Sequence, residues 1–218
     1  MTHPPTEPTH ADIPASGTST PPISTPTTKP PNYEIRQGDI HDAQAISDLM
    51  IEVFTRSFGH SCTPEELVKY IESTLSLEPI KNDLNNPKCT WLLAYSSTTP
   101  SPEIKEVPND MKTDAELLGI VQLTKDSYEP CLTLPHPIEL QRIYLSYSAH
   151  GTGLARDLIN LAEDRSRELG FKSIWLGAWE DNHRAKGFYK KMGYTIVGDH
   201  VFDIGGSKQR DEIMEKML

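Results

Sequence analysis

Between residues 39 and 84 the apolar positions recur every three or four residues, and from residue 89 they close up into short continuous runs. Ile46, Leu49, Met50, Val53 and Phe54 share one face at helical spacing, with Asp39 placed ahead of them as a cap. Thr63-Pro64-Glu65-Glu66 predicts a second helix start. Thr63 is the cap, Pro64 takes the first helical position, and Glu66 stands three residues after the cap. Leu67, Tyr70, Ile71 and Leu75 would form its buried face, and a short helical segment over 78–84 follows. The runs at 89–95 and 117–123 have strand length and suit an antiparallel pair, with a shorter strand at 33–36 ahead of the first helix.

From residue 138 onward strands and helices interleave. A strand at 138–145 is entered through the rigid Pro135-His136-Pro137, and a helix at 151–169 stops at Gly170. Then come a strand at 173–178, a helix at 182–192 closed by Gly193, a strand at 194–202, and a last strand at 213–218. Such alternation predicts an α/β domain over 32–218. Residues 1–31 hold half of the chain's 18 prolines among Thr and Ser, and almost no large apolar side chains. That segment cannot bury enough surface to offset its ordering entropy, so a disordered tail is expected. The polar, proline-containing stretch at 96–116 is expected to be a flexible insertion.

Composition narrows the function. A formal net charge of -10 over 218 residues argues against nucleic acid or anionic membrane as a general partner and suits a small cationic substrate. Cys62, Cys89 and Cys131 are odd in number and widely spaced, matching neither a disulfide framework nor a zinc pattern. Reduced thiols in a cytoplasmic or nuclear protein are expected. No run approaches the roughly 20 apolar residues of a membrane span, and the first residues have no apolar core of a secretory signal or arginines of a mitochondrial one.

The most informative segment is His150-Gly151-Thr152-Gly153-Leu154-Ala155, between a strand and a helix. Glycines there let backbone approach a ligand, and the free amides of a helix's first turn attract phosphate. The spacing is not that of a Rossmann turn, and the Lys-Ser/Thr ending of a P-loop is missing. By itself the turn could equally be a plain strand-to-helix connection.

With its neighbours it resembles the GNAT (Gcn5-related) N-acetyltransferase superfamily. The family's Arg/Gln-x-x-Gly-x-Gly/Ala turn is matched by Gly153 and Ala155, with His150 departing from the usual first residue. Asn182, Ala185 and Tyr189 match its later Asn-x-x-Ala-x-x-x-Tyr motif. Within the superfamily the segments 139–145 and 174–180, with 197–202, Gln209, Asp211 and Met214, are similar to the PaiA-like spermine/spermidine acetyltransferases. The resemblance implies a mixed, mostly antiparallel twisted sheet of six to seven strands with about four helices, whose splayed central strands bind acetyl-CoA.

It also implies roles. Backbone groups of Ile143, Tyr144 and Leu145 would hold the pantetheine arm, and one of their amides would stabilise the thioester oxygen as charge develops. His150, Gly151, Thr152, Gly153, Leu154 and Ala155 would carry the pyrophosphate, and Asn182 would hold the pantetheine, cap its helix, or both. Arg156 or Lys186 could meet the remaining phosphate or merely be surface charges. Tyr189 would be the general acid for the departing thiolate, or pack beneath the cofactor. Glu139 would be the base for the amine, or an anchor for a cationic substrate. Trp175 and Trp179 fit core or groove wall, and Glu65, Glu66 and Glu72 fit a solvated helix face better than a polyamine site. No metal is implied. The function read from these residues is acetyl transfer from acetyl-CoA to a primary amine, with an acceptor in the class of spermidine or spermine expected. A protein lysine or N-terminal acetyltransferase, and an acetyl-CoA-binding protein without catalysis, stay open, as does a homodimer.

Overall fold

Local signals and packing meet first in the helices. The computed structural model of the protein describes residues 32–97, 115–204 and 207–218. The expected tail at 1–31 and most of the 96–116 insertion lie outside the described residues. Strand β1 spans Tyr33–Gln37, and Asp39 caps a 3-10 turn, Ile40–Asp42, which leads into α1, Ala43–Phe58. Helix α2, Pro64–Tyr70, opens with the expected reciprocal cap: the Thr63 amide donates to Glu66 at 2.8 Å and the Glu66 amide to Thr63 at 3.3 Å. It runs on as a π-helical turn, Ile71–Leu75, before α3, Leu77–Leu84.

Strands β2 (Cys89–Ser96), β3 (Leu117–Thr124) and β4 (Pro137–Leu145) follow, then α4 (Leu154–Glu168), β5 (Ser173–Trp179) and α5 (His183–Lys191). The chain ends in a hairpin of β6 (Thr195–Ile204) and β7 (Ser207–Met217). All seven strands join one sheet in the order β1-β2-β3-β4-β5-β7-β6. Every neighbouring pair is antiparallel except β4–β5. The last strand is far longer than the expected 213–218. Its early residues, Ser207 to Arg210, are polar and lack the apolar alternation that marks a strand.

Helices cover both faces of the sheet. On one, Leu154, Leu158, Ile159 and Tyr189 from α4 and α5 pack on Val121, Leu140, Ile143 and Leu176. On the other, Ile46, Met50, Phe54, Leu75 and Ile80 pack on Trp91, Leu93, Ile120 and Tyr144. Most of these side chains are fully buried, and each such burial stabilises the fold by roughly 1.5–3 kcal/mol before entropy is counted. Trp175 joins a small separate cluster with Leu132 and Ile213, a core position as expected.

The parallel pair fixes the site. β4 and β5 stay together only for Pro137–Ser173, Ile138–Ile174 and Glu139–Trp175, while β4 continues beside β3 to Leu145 and β5 stays paired with β7 along its whole length. Beyond Glu139 the two strands part, and a wedge opens in the middle of the sheet.

Candidate active site

Strand register decides which backbone groups line the wedge. The Ser146 amide donates to Leu118 of the β3 side at 2.9 Å. Antiparallel strands alternate their backbone groups between neighbours, so Tyr144 likewise faces β3, and Ile143 and Leu145 face the wedge. The Tyr144 side chain instead packs among α1–α3. A His150 ring hydrogen bond reaches the Leu145 backbone, although burial beside Arg184 and Arg56 holds its pKa below the ordinary value.

The chain leaves β4 through a 3-10 turn, Tyr147–Ala149, into the glycine turn. Gly151 and Gly153 have φ of 77° and 96°, left-handed conformations that side chains other than glycine resist. The Thr152 hydroxyl donates to Ala149 at 2.7 Å and accepts from Leu154, while the amides of Gly151, Gly153 and Ala155 donate to no backbone carbonyl among the described residues. They open α4, whose dipole adds to their attraction for an anion. A cavity of about 270 Å³ runs from Ile143 and Leu145 past this turn to Arg156, Arg184 and Phe188. Amides and two arginines at one end and an apolar trough at the other fit a pyrophosphate carrying a thioester arm.

Lys186 is elsewhere. Its ammonium donates to the Glu180 carbonyl at 2.5 Å and pairs with Glu212 at 3.2 Å, so it is neither surface charge nor pocket residue. Arg184, two residues earlier on α5, lines the cavity in its place. Sequence reading missed it because a short helix holding Arg184, Lys186, Lys190 and Lys191 gives no sign of which one turns inward.

Asn182 caps α5, accepting from the Ala185 amide at 3.0 Å. About two turns later Tyr189 is fully buried, and its hydroxyl has no hydrogen-bond partner among the described residues. Burial first, and the nearby Asp211 second, push its pKa far above the ordinary phenol value. Glu139 lies in the last paired rung of β4 and is also buried. Desolvation pushes its carboxyl up to about 8, against a hydrogen bond from Ser127, with Glu129 adding to the rise; Oε2 has no partner among the described residues. The wedge therefore brings together the glycine turn, Ile143, Leu145 and α5. Glu139 sits one rung behind, and Glu65, Glu66 and Glu72 stay on or near α2.

Comparison with known proteins decides the family. The model of the acetyltransferase (GNAT) family matches residues 74–194. The chain belongs to that family. This GNAT enzyme is 29% identical over 185 residues to an uncharacterised N-acetyltransferase of Lactobacillus delbrueckii subsp. lactis, covering 85% of this chain and 95% of the relative. Its fold is similar to that of the PaiA N-acetyltransferase of Thermoplasma acidophilum in complex with coenzyme A, at a TM-score of 0.62 and 20% identity over 86% of this chain and 99% of the other. The spermidine/spermine N-acetyltransferase SpeG of Vibrio cholerae follows at 0.54 and 20%, over 85% and 92%. Membership makes the protein an acetyl-transferring enzyme with acetyl-CoA as donor. Among the described residues no group of three His, Cys, Asp or Glu could hold a metal ion, and no helix is long and apolar enough to cross a membrane. The three cysteines are free thiols.

Proposed function

We propose that this GNAT enzyme acetylates a primary amine of a small polycation of the spermidine or spermine class. The observation that carries this reading is the setting of Tyr189: a buried phenol packed in one cluster with Ile143 and Leu145, its hydroxyl without a hydrogen-bond partner among the described residues, and beside it the carboxyl of Asp211, which helps to raise its pKa. The similarity in fold to a spermidine/spermine acetyltransferase supports it.

The donor supplies an acyl group activated as a thioester. The residues of the chain do the rest. Amides of Gly151, Gly153 and Ala155, with Arg156 and Arg184, hold the diphosphate end. The Ile143 and Leu145 backbone orients the arm and offers an amide to the carbonyl oxygen as charge grows there. A free polyamine nitrogen has a pKa near 10 and arrives protonated, without a lone pair for attack. Glu139, held at about 8, takes that proton through water. Tyr189 returns a proton to the departing sulfur, which its raised pKa ensures it still carries at neutral pH.

Release of free CoA thiol from acetyl-CoA in the presence of spermidine, spermine and a panel of lysine and N-terminal peptides tests the reading. Saturable release with the polyamines supports it. Release with peptides alone moves the acceptor to proteins, and no release with any amine refutes acetyl transfer to amines.

A further inference from the structure

Among the described residues, three of the five buried carboxylates have partners on both oxygens, and Glu139 lacks one only on Oε2. Asp42 receives Arg36, the Asp39 amide and Tyr95; Glu163 receives Lys216; Glu215 receives Thr133 and the Leu134 amide. Asp211 differs. It has no exposed surface, and neither carboxylate oxygen has a hydrogen-bond partner among the described residues. Desolvation first, with Glu180 adding, pushes its pKa well above the ordinary carboxylate value, so the group is held as the neutral acid and ionises only where a cation offsets the cost of the charge.

Its position shows where such a partner would come from. Asp211 pairs with Trp179 across β5–β7, yet its carboxyl leans two residues down the neighbouring strand: Oδ2 stands 3.0 Å from where a Cβ on Gly177 would be. Gly177 belongs to the part of β5 that β4 has already left. The carboxyl thus occupies the rim of the wedge, in space that only a glycine leaves open. Electrostatically it reaches Tyr189 on one face of the sheet and Tyr70 of α2 on the other, raising both phenols. Glu139 does neither. From β6, His200 brings Nε2 to 4.0 Å of Oδ2, and its Nδ1 meets Glu129 at 2.9 Å. Trp179, with Phe58 at 5.6 Å and His60 at 6.3 Å, forms an aromatic wall beside it.

We propose that Asp211 is the residue that receives the ammonium of the acceptor amine, holding its nitrogen beside Tyr189 and selecting cationic acceptors. The inference rests on the reading of the acceptor as a cationic amine and adds a residue to it. A carboxylate at the rim supplies a charge-assisted hydrogen bond, the aromatic wall supplies faces for the rest of a cation, and Glu139 is left to take the proton.

Asp211→Asn removes the group that can ionise against a cation and preserves the shape. Titration calorimetry of spermidine into the CoA-saturated protein should show affinity at least about 20-fold weaker in the variant, with CoA affinity unchanged, the loss expected for a desolvated charged hydrogen bond. Gly177→Ala provides a second test, because its methyl group must push the carboxyl aside; it should weaken spermidine about fivefold or more without touching residue 211. Equal spermidine affinity in wild type and Asp211→Asn, or no measurable affinity in wild type, overturns the inference. Turnover is followed in parallel. Spermidine turnover that Asp211→Asn leaves unchanged sinks this inference alone, whereas Asp211-dependent binding without turnover supports it and sinks the acetyl-transfer reading.

Discussion

Glu139→Gln perturbs one buried charge and keeps its outline. The unfolded chain titrates Glu139 near 4.5 and the folded protein near 8. Below 4.5 the carboxyl is protonated in both states, and its contribution to stability is complete. Between the two values the unfolded chain gives up the proton while the folded protein keeps it, so stability falls as pH rises. Past 8 the fall levels off. At 1.36 kcal/mol for each unit of displacement, the loss amounts to about 5 kcal/mol. Gln does not titrate, and its side-chain oxygen can still accept from Ser127. The difference between wild type and variant should therefore be small near pH 5 and should grow to several kcal/mol in favour of the variant by about pH 9. Urea unfolding of both proteins across that range measures it. Parallel curves would refute the reasoning, because Glu139 would then titrate like an ordinary surface carboxylate. Kinetics separate its two candidate roles. A base must be ionised, so kcat/KM should rise with pH toward about 8, and Glu139→Gln should lower it about 100-fold and abolish the ascending limb. A variant that loses amine affinity but keeps the limb would make Glu139 an anchor.

Other outcomes follow from the same geometry. Tyr189→Phe should lower kcat about 30-fold or more with acetyl-CoA affinity within twofold, since it deletes a proton and a hydroxyl that bonds nothing among the described residues; steady-state kinetics with unchanged kcat would reject the acid role. Gly153→Glu combines strain at φ 96° with a negative charge at the three amides, and calorimetry should show at least about 100-fold weaker CoA binding; unchanged affinity would mean the diphosphate lies elsewhere. Arg184→Ala should raise KM for acetyl-CoA about tenfold, and the difference should shrink in high salt. A salt-independent effect would point to lost packing instead.

What the sequence made legible was whatever depends on neighbours along the chain. The Thr63–Glu66 cap, the glycine turn and the Asn182 cap are local, and each stands where its residues predict. Register is not local. Tyr144 looks as able as Ile143 or Leu145 to face the wedge until its pairing with Ile120 is known. Asp211 falls in a polar stretch just ahead of the strand expected at 213–218; only the register that carries it across to Gly177 buries it. Glu139 could be placed on its strand but not in depth, because its burial comes from packing that its neighbours in sequence do not supply. Lys186 leaves the role expected of it, and Arg184, which had none, lines the cavity, for the same reason: helix spacing orders the side chains, and the strand that supplies Glu212 decides which one is captured.

The wedge has a consequence for how the sheet coheres. Between β4 and β5 the sheet has an interior edge, backbone that outer strands would have to guard against foreign chains, here shielded by helices on both faces. An arm carrying amides that enters it stands in for a missing strand, so the donor completes the architecture as it brings the acyl group. Binding to the folded state alone would add about 2.7 kcal/mol of stability at a hundred times the dissociation constant. Hydrogen exchange should report this as slowing at Ile143 and Leu145 on CoA addition, with β1 and β2 unaffected. The enzyme's two halves are joined most firmly while it holds its donor, which couples its lifetime to the supply of acetyl-CoA around it.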